Sequence, residues 1–296
     1  VTPFRLAHLS DPHLPPPAGA LGWRDLASKR LLSGLAWRRK GVQHQPQVLA
    51  ALIADVRAYA PNHVAVTGDL TNFSATPEFS AARTWLQSLG PASEVTVSPG
   101  NHDALVERGA GEPFGPWREW LGDQAGGDFP QVRERDGVAL INLCSAVPTA
   151  LHLATGRLGP DQLGRLEAIL DGLAGRRLFR VLMIHHPPAP GAVSGRKALD
   201  DAGALRKLLV VHGVDLVLHG HAHEALINSL PGPDGPIPVL GVPSASAAAG
   251  GRHAPARWHA IEIGEDRAVR IVARGLQDNG NFEALGSYLL NPAQPA

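Results

Sequence analysis

The stretch LVLHGHAHE, residues 216–224, places histidines at 219, 221 and 223. Its first four residues are an apolar run ended by Gly220, which reads as a strand leaving its sheet. Alternate residues of an extended segment share one face, but the rule lapses where the glycine ends the strand. His221 and His223 are therefore expected in a loop beyond the strand, and His219 as a core histidine or a neighbour of the site.

The same arrangement recurs along the chain. FRLAHLS (4–10) alternates apolar and polar residues and runs into Asp11 and His13. HVAVTGD (63–69) ends at Asp69, and EVTVSPGNHD (94–103) ends at Asn101, His102 and Asp103. LFRVLMIHHPP (178–188) ends at His185 and His186, stopped by prolines. VALINLCS (138–145) is a further strand. Helical spacing marks 45–60, 77–90, 159–174 and 201–213, with Pro46 and Pro160 at starts and Gly90 at an end. After about residue 220 strands dominate: EALINSL, IPVLGV, RWHAIEIG and AVRIVARG. Strands alternating with helices and then a run of strands suggest an α/β core, two sheets packed together with helices outside. In α/β sheets, loops past the carboxyl ends of strands are where sites form.

Composition sets few limits. The chain has 296 residues, 44% apolar and 18% charged, with 27 basic and 27 acidic side chains. A net charge of zero supplies no bulk field for nucleic acid or an anionic membrane. Cys144 stands alone, so no intrachain disulfide forms; its apolar strand reads as a buried thiol. No stretch approaches the roughly 18 apolar residues of a membrane span, and no signal-peptide pattern opens the chain. The missing disulfide framework favours a reducing compartment. The expected location is cytoplasmic, with a peripheral position at the inner membrane as the alternative.

Taken singly, each polar cluster is ordinary. Asp-x-His and Gly-Asp are common turn chemistry, and HHPP is a strand end met by prolines. Taken in order, five strand ends carrying Asp, Asn and His point to metal. Imidazole and carboxylate suit zinc, iron, nickel or manganese, and no paired cysteines suggest structural zinc.

The series DPH, GD, GNHD, HH and GHAH resembles the calcineurin-like metallophosphoesterase superfamily, over residues 11–223. The resemblance implies an α/β fold built as a four-layer α/β/β/α sandwich, two mixed β-sheets flanked by helices. It implies two divalent or trivalent transition-metal ions (Mn, Fe or Zn). Asp11, His13, Asp69 and His223 would hold the first; Asp69, Asn101, His185 and His221 would hold the second, with Asp69 shared. His185 is preferred to His186 because the family histidine typically precedes an x-Pro pair, which leaves His186 beside the ligands or against substrate. The implied reaction is attack on phosphorus by a metal-bridging hydroxide. His102 would stabilise charge or protonate the leaving oxygen, and Asp103 would orient the loop or serve as a turn carboxylate. One departure concerns GDLTNF: many relatives carry an aspartate where Asn72 stands. An amide can position His102 or contact substrate but cannot pair with it as an anion.

GDLTNF, GNHD, HHPP and GVPSASA (241–247) resemble the bacterial phosphodiesterase branch of cyclic-nucleotide and glycerophosphodiester hydrolases. The expected substrate is thus a small-molecule phosphodiester, cleaved to monoester plus alcohol, with no nucleic-acid partner. Residues 22–44 interleave Arg24, Lys29, Arg30, Arg38, Arg39 and Lys40 with Trp23, Leu31, Leu32, Leu35 and Trp37. They read as a basic amphipathic insert. It is a surface helix with a solvated basic face, a substrate lid, or a peripheral membrane contact. The lid keeps a pyrophosphatase of nucleotide-linked or lipid-precursor diphosphates as the alternative function. A catalytically inactive scaffold is the reading from another class, and retention of every motif ligand opposes it. The expected organisation is one domain over 1–275 carrying the insert, then a C-terminal tail over 276–296. Composition and motifs leave the oligomeric state open.

Overall fold

In the computed structural model the described residues are 2–22, 25, 28–106, 114–124, 128–251 and 253–290, without the side chains of 32, 36 and 38–40. Two six-stranded mixed sheets form the centre. The first has the order β12-β11-β10-β1-β2-β3: β1 (Phe4–Leu9), β2 (His63–Val66), β3 (Val95–Val97), β10 (Arg257–Ile263), β11 (Val269–Leu276) and β12 (Phe282–Leu290). The second has the order β4-β5-β6-β7-β9-β8: β4 (Gln131–Arg135), β5 (Val138–Asn142), β6 (Phe179–Met183), β7 (Leu216–His219), β8 (Leu226–Gly232) and β9 (Gly235–Gly241). β1, β2 and β3 run parallel, as do β5, β6, β7 and β9.

Side-chain alternation builds the layers. In β1, Phe4 and Leu6 face a core with Leu140 and Val181 of the second sheet, while Ala7 and Leu9 face a core with Leu52 and Phe79. The latter two lie on α2 (Pro46–Tyr59) and α3 (Thr76–Leu89). The second sheet repeats this: Leu140 joins the inter-sheet core, and Ala139 and Ile141 pack with Leu166 and Leu209, from α4 (Pro160–Leu173) and α5 (Ala202–His212). Both faces of the strands are covered, so their sequences are almost continuously apolar. Burying a leucine such as Leu6, fully enclosed between the sheets, contributes about 1.5–3 kcal/mol. The expected α/β/β/α sandwich is the observed architecture.

Two boundaries differ from expectation. Residues 282–290 form β12, paired antiparallel with β11 from Val269↔Leu290 to Leu276↔Phe282, where a tail was expected. Its own pattern is mostly exposed, and backbone pairing along the sheet edge makes it a strand. β4 (QVRER) pairs with β5 and carries three charged residues in five, so no apolar run announced it.

The insert contains α1 (Lys29–Lys40), capped by Ser28, whose hydroxyl accepts from the Arg30 amide. Lys29 and Arg30 do not form a solvated basic face. Lys29 Nζ donates to Thr149 Oγ1 at 2.8 Å and Leu153 O at 2.9 Å. Arg30 donates to the carbonyls of Phe73 and Ser74 and pairs with Asp25 at 2.7 Å. Leu35 is exposed, whereas Trp37 packs with Phe73, Ala75 and Ala20. Trp23, Arg24 and the side chains of Leu32, Arg38, Arg39 and Lys40 lie outside the described residues.

Candidate metal centre

All seven expected ligands gather at the carboxyl ends of β1, β2, β3, β6 and β7. Five of them, Asp11, His13, Asp69, His221 and His223, have φ between 42° and 66°. Left-handed backbone at a non-glycine residue costs on the order of 1 kcal/mol or more, so the loops hold these side chains against a local penalty. Two glycines make the loops fit. Gly68 has φ 99°, and a Cβ there would stand 2.5 Å from His185 Nδ1. A Cβ on Gly220 would collide with Ser10 Oγ and Asp11 Oδ2.

Asp11, His13, Asp69 and His223 each present a donor atom within 4.8 Å of the others. His223 Nε2 lies 3.1 Å from Asp11 Oδ1 and 3.3 Å from His13 Nε2. Asp69 Oδ2 lies 3.9 Å from His13 Nε2 and 3.5 Å from His185 Nε2, which is itself 3.1 Å from Asn101 Oδ1. Asp69 thus stands between a first group and a second group of Asn101 and His185. His221 joins the second group less closely, its ring centroid 5.0 Å from that of His185.

Hydrogen bonds orient three of the imidazoles, each turning one ring nitrogen to an oxygen outside the cluster. His185 Nδ1 donates to Thr67 O at 2.7 Å, which turns Nε2 toward Asp69 and Asn101. His221 Nε2 donates to Lys197 O at 3.0 Å, leaving Nδ1. The Asn72 amide donates to Leu14 O, so its Oδ1 accepts from His13 Nδ1 at 3.2 Å and leaves Nε2. A carbonyl can only accept, so each partner dictates which ring nitrogen donates outward and which faces the site.

Electrostatics show a buried cluster that draws in positive charge. Asp11 and Asp69 are almost fully buried. Burial opposes their ionisation, but His223 beside Asp11 and His185 beside Asp69 hold both carboxyls below the usual range. Burial pushes the His185 imidazole down, and the Asp69 charge outweighs it, lifting the group to about 9. His13 is driven well below its ordinary value, first by burial and then by His44. Two buried carboxylates among imidazoles need a compensating positive charge, and the donors present fit transition-metal cations.

The remaining expected residues take distinct places. His102 is partly exposed; its amide donates to Asp69 Oδ1 at 2.8 Å and its Nδ1 to the backbone carbonyl of Asn72 at 2.9 Å. The Asn72 side chain bonds to His13 and Leu14 and not to His102, so its amide orients the His13 ring. Asp103 is fully buried and accepts from Gly100 N, Thr71 N and Thr71 Oγ1, stapling the GNHD loop to the GD loop. His186 is enclosed, its Nδ1 2.8 Å from Ser145 Oγ and its ring 4.4 Å from that of His221, so it packs behind a ligand. His219 stays in β7 and is fully buried. Cys144 is half-buried, and desolvation raises its thiol to about 12, unsuited to a nucleophile.

His44 is the residue that sequence reasoning missed. A ring nitrogen of His44 lies within 4.8 Å of donor atoms of His13 and His223. It ends the insert and belongs to no motif; only the tertiary fold brings it here.

A family model described as calcineurin-like phosphoesterase matches residues 4–225. A probable cyclic nucleotide phosphodiesterase of Synechococcus sp. is 29% identical over 228 residues, 75% of this chain and 79% of that protein. Among solved structures, a dimetal phosphatase from Danio rerio superposes with a TM-score of 0.55 at 13% identity, covering 99% of this chain and 100% of that one. Purple acid phosphatase PPD1 from yellow lupin (Lupinus luteus) gives 0.57 at 13% identity, covering 96% and 53%. At such identities the structures speak for the fold alone.

Proposed function

For this chain, which belongs to the calcineurin-like phosphoesterase family, we propose a dinuclear-metal phosphodiesterase that cleaves a small phosphodiester to a monoester and an alcohol. The observation that carries the proposal is the donor group of Asp11, His13, Asp69 and His223, with His185 approaching Asp69 and Asn101 on the other side. The likeness to a probable cyclic nucleotide phosphodiesterase of Synechococcus supports a diester over a monoester. Bound metals would supply Lewis-acid polarisation of the phosphoryl oxygens and acidification of water.

The chain's own residues do the rest. Asp11, His13, Asp69 and His223 would hold one ion; Asp69, Asn101, His185 and His221 the other. Asn101 is a neutral ligand, so the site keeps net positive charge for an anionic substrate. His102 spends Nδ1–H on the Asn72 carbonyl, which reserves Nε2 for the substrate; as an imidazolium, with a second proton on Nε2, it would pass that proton to the leaving alkoxide. Asp103 fixes the loop carrying His102 and Asn101.

A second reading, cleavage of a diphosphate linkage, is favoured by one feature. Trp37 of the insert stands 6.5 Å from the His13 ring, and an indole there suits a base or an acyl chain beyond the phosphate. A turnover panel with manganese separates the two. We expect bis(p-nitrophenyl) phosphate and a cyclic nucleotide to be cleaved faster than p-nitrophenyl phosphate and a nucleoside-diphosphate-linked compound. Faster diphosphate cleavage would transfer the assignment to the second reading. No turnover of any member with Mn, Fe or Zn would reject both.

A further inference from the structure

We propose that Lys197 binds the substrate, placing its ammonium against a phosphoryl oxygen on the His221–His253 side of the centre. The inference rests on the phosphohydrolase reading above and adds a residue outside the family motifs. Lys197 ends a short helical turn, Gly195–Lys197, and is half-buried. Its carbonyl accepts from His221 Nε2 at 3.0 Å, so its main chain lies beside an expected ligand. His253 borders the same side from another loop. Its ring centroid stands 5.3 Å from that of His223, and its side chain is 30% exposed.

The surrounding charges locate the ammonium. Burial first, and then neighbouring imidazoles, hold His221 and His253 low, and the Lys197 charge lowers both further. His221 lies in the loop after β7 and His253 in the loop before β10. A cation felt by both stands at the gap between these loops. Among the described residues that ammonium has no ion-pair or hydrogen-bond partner. The neighbouring carboxylate, Glu224, lies 3.7 Å from His253 Nδ1. Lys29 and Arg30, on the insert, are already engaged: Lys29 with Thr149 and Leu153, Arg30 with Asp25 and the carbonyls of Phe73 and Ser74. Lys197 therefore brings an unspent positive charge to a centre that takes an anion. A lysine ammonium meets a phosphoryl oxygen as a point charge, through a charge-assisted hydrogen bond.

The turn is fixed without help from the lysine side chain. Ala154 N donates to Arg196 O at 2.9 Å, Gly156 N to Ala198 O at 3.0 Å and Asp200 N to Gly156 O at 2.9 Å. Gly156 itself lies against His186, where a Cβ would collide with the imidazole. His186 in turn packs on His221, their centroids 4.4 Å apart. Main-chain bonds thus hold the turn from one side and the His221 bond from the other. The stem of Lys197 starts from a settled point beside the site, and a cation carried on such a frame needs little reorganisation when phosphate arrives.

The test uses the manganese-loaded protein with inorganic phosphate as the probe, read by calorimetry alongside manganese content. Lys197→Met removes the charge and keeps a stem. It is expected to retain its manganese and to bind phosphate about 10-fold more weakly, the low end of the range for a lost hydrogen bond to a charged group. Lys197→Arg should restore most of the affinity. Added salt should weaken phosphate binding more steeply in the wild type than in Lys197→Met, a difference that a merely structural role would not produce. Thermal unfolding monitors the fold, and Lys197→Gln replaces the methionine variant if that one is destabilised. Loss of manganese in the uncharged variant would make the side chain a support for His221 and overturn the proposal. Unchanged phosphate affinity, or equal weakening in Lys197→Met and Lys197→Arg, would overturn the role of Lys197 alone. So would a wild type that holds manganese without binding phosphate. A wild type that binds neither would overturn the phosphohydrolase reading and this inference with it.

Discussion

Asn72 shows how one side chain can be read correctly as important and wrongly as to its partner. Its place after Gly-Asp suggested help for His102, yet its amide orients His13 while its backbone carbonyl orients His102. The side chain and the main chain of one residue therefore have separable roles. Asn72→Ala removes the acceptor for His13 Nδ1 and keeps the carbonyl. Metal affinity, measured by competition with a chelator, should fall about 10- to 100-fold; unchanged affinity would mean that the amide does not orient His13. His219 and His223 make a parallel contrast. His223→Ala should abolish metal-dependent turnover, while His219→Ala should lower stability and retain turnover; equal effects of the two would refute their separation. That the seven motif residues meet at one place was legible in sequence because loop chemistry at strand ends is local. His44 was not, because its burial depends on contacts with Ser244, Ser246 and His13, which only the fold makes neighbours.

At the scale of elements, the loops of the site are held by helix starts as well as by strands. Glu78 lies in the first turn of α3, 3% exposed, and accepts from the amides of Asn72, Phe73 and Ala75. Burial raises its carboxyl despite those bonds. Glu78→Ala would orphan three amides and release the loop carrying Asn72. We expect a loss of about 2–4 kcal/mol in chemical denaturation, together with weaker metal binding through His13. A loss below about 0.5 kcal/mol, the size of a neutral surface change, would show that the loop does not depend on this carboxylate. The strands of the two inner layers were legible because both faces are buried and their residues are apolar. β4 and β12 were not, since charged or exposed side chains conceal strands whose existence depends on the neighbour they pair with. The insert was legible as basic and amphipathic, but not in its anchoring, because pattern alone does not tell a solvated cation from one tied to carbonyls.

The whole molecule carries a pH dependence apart from the site. His63 in β2 and His259 in β10 are buried; His259 pairs across strands with His8, their rings 5.7 Å apart. Burial, with Arg133 and Arg135 near His63 and Asp123 opposing them, lowers that imidazole to about 3. Burial, with Arg257 and His219, lowers His259 to about 4. An unfolded histidine titrates near about 6.5, so between that value and 3–4 the unfolded chain binds protons that the folded chain refuses. Stability therefore rises with pH through this window and is lost on acidification, by at most roughly 5 kcal/mol for His63 and roughly 3 kcal/mol for His259. His63→Asn should flatten the profile between pH 7 and pH 4.5 relative to wild type; parallel profiles would contradict the assignment. Among the described residues no helix is long and apolar enough to cross a membrane. A pair of metal sites sharing Asp69 can be counted on the purified chain. After saturation with manganese and removal of excess, elemental analysis should find two ions per wild-type chain and one in His185→Ala. One ion or none in the wild type, or the same count in the variant, would contradict it.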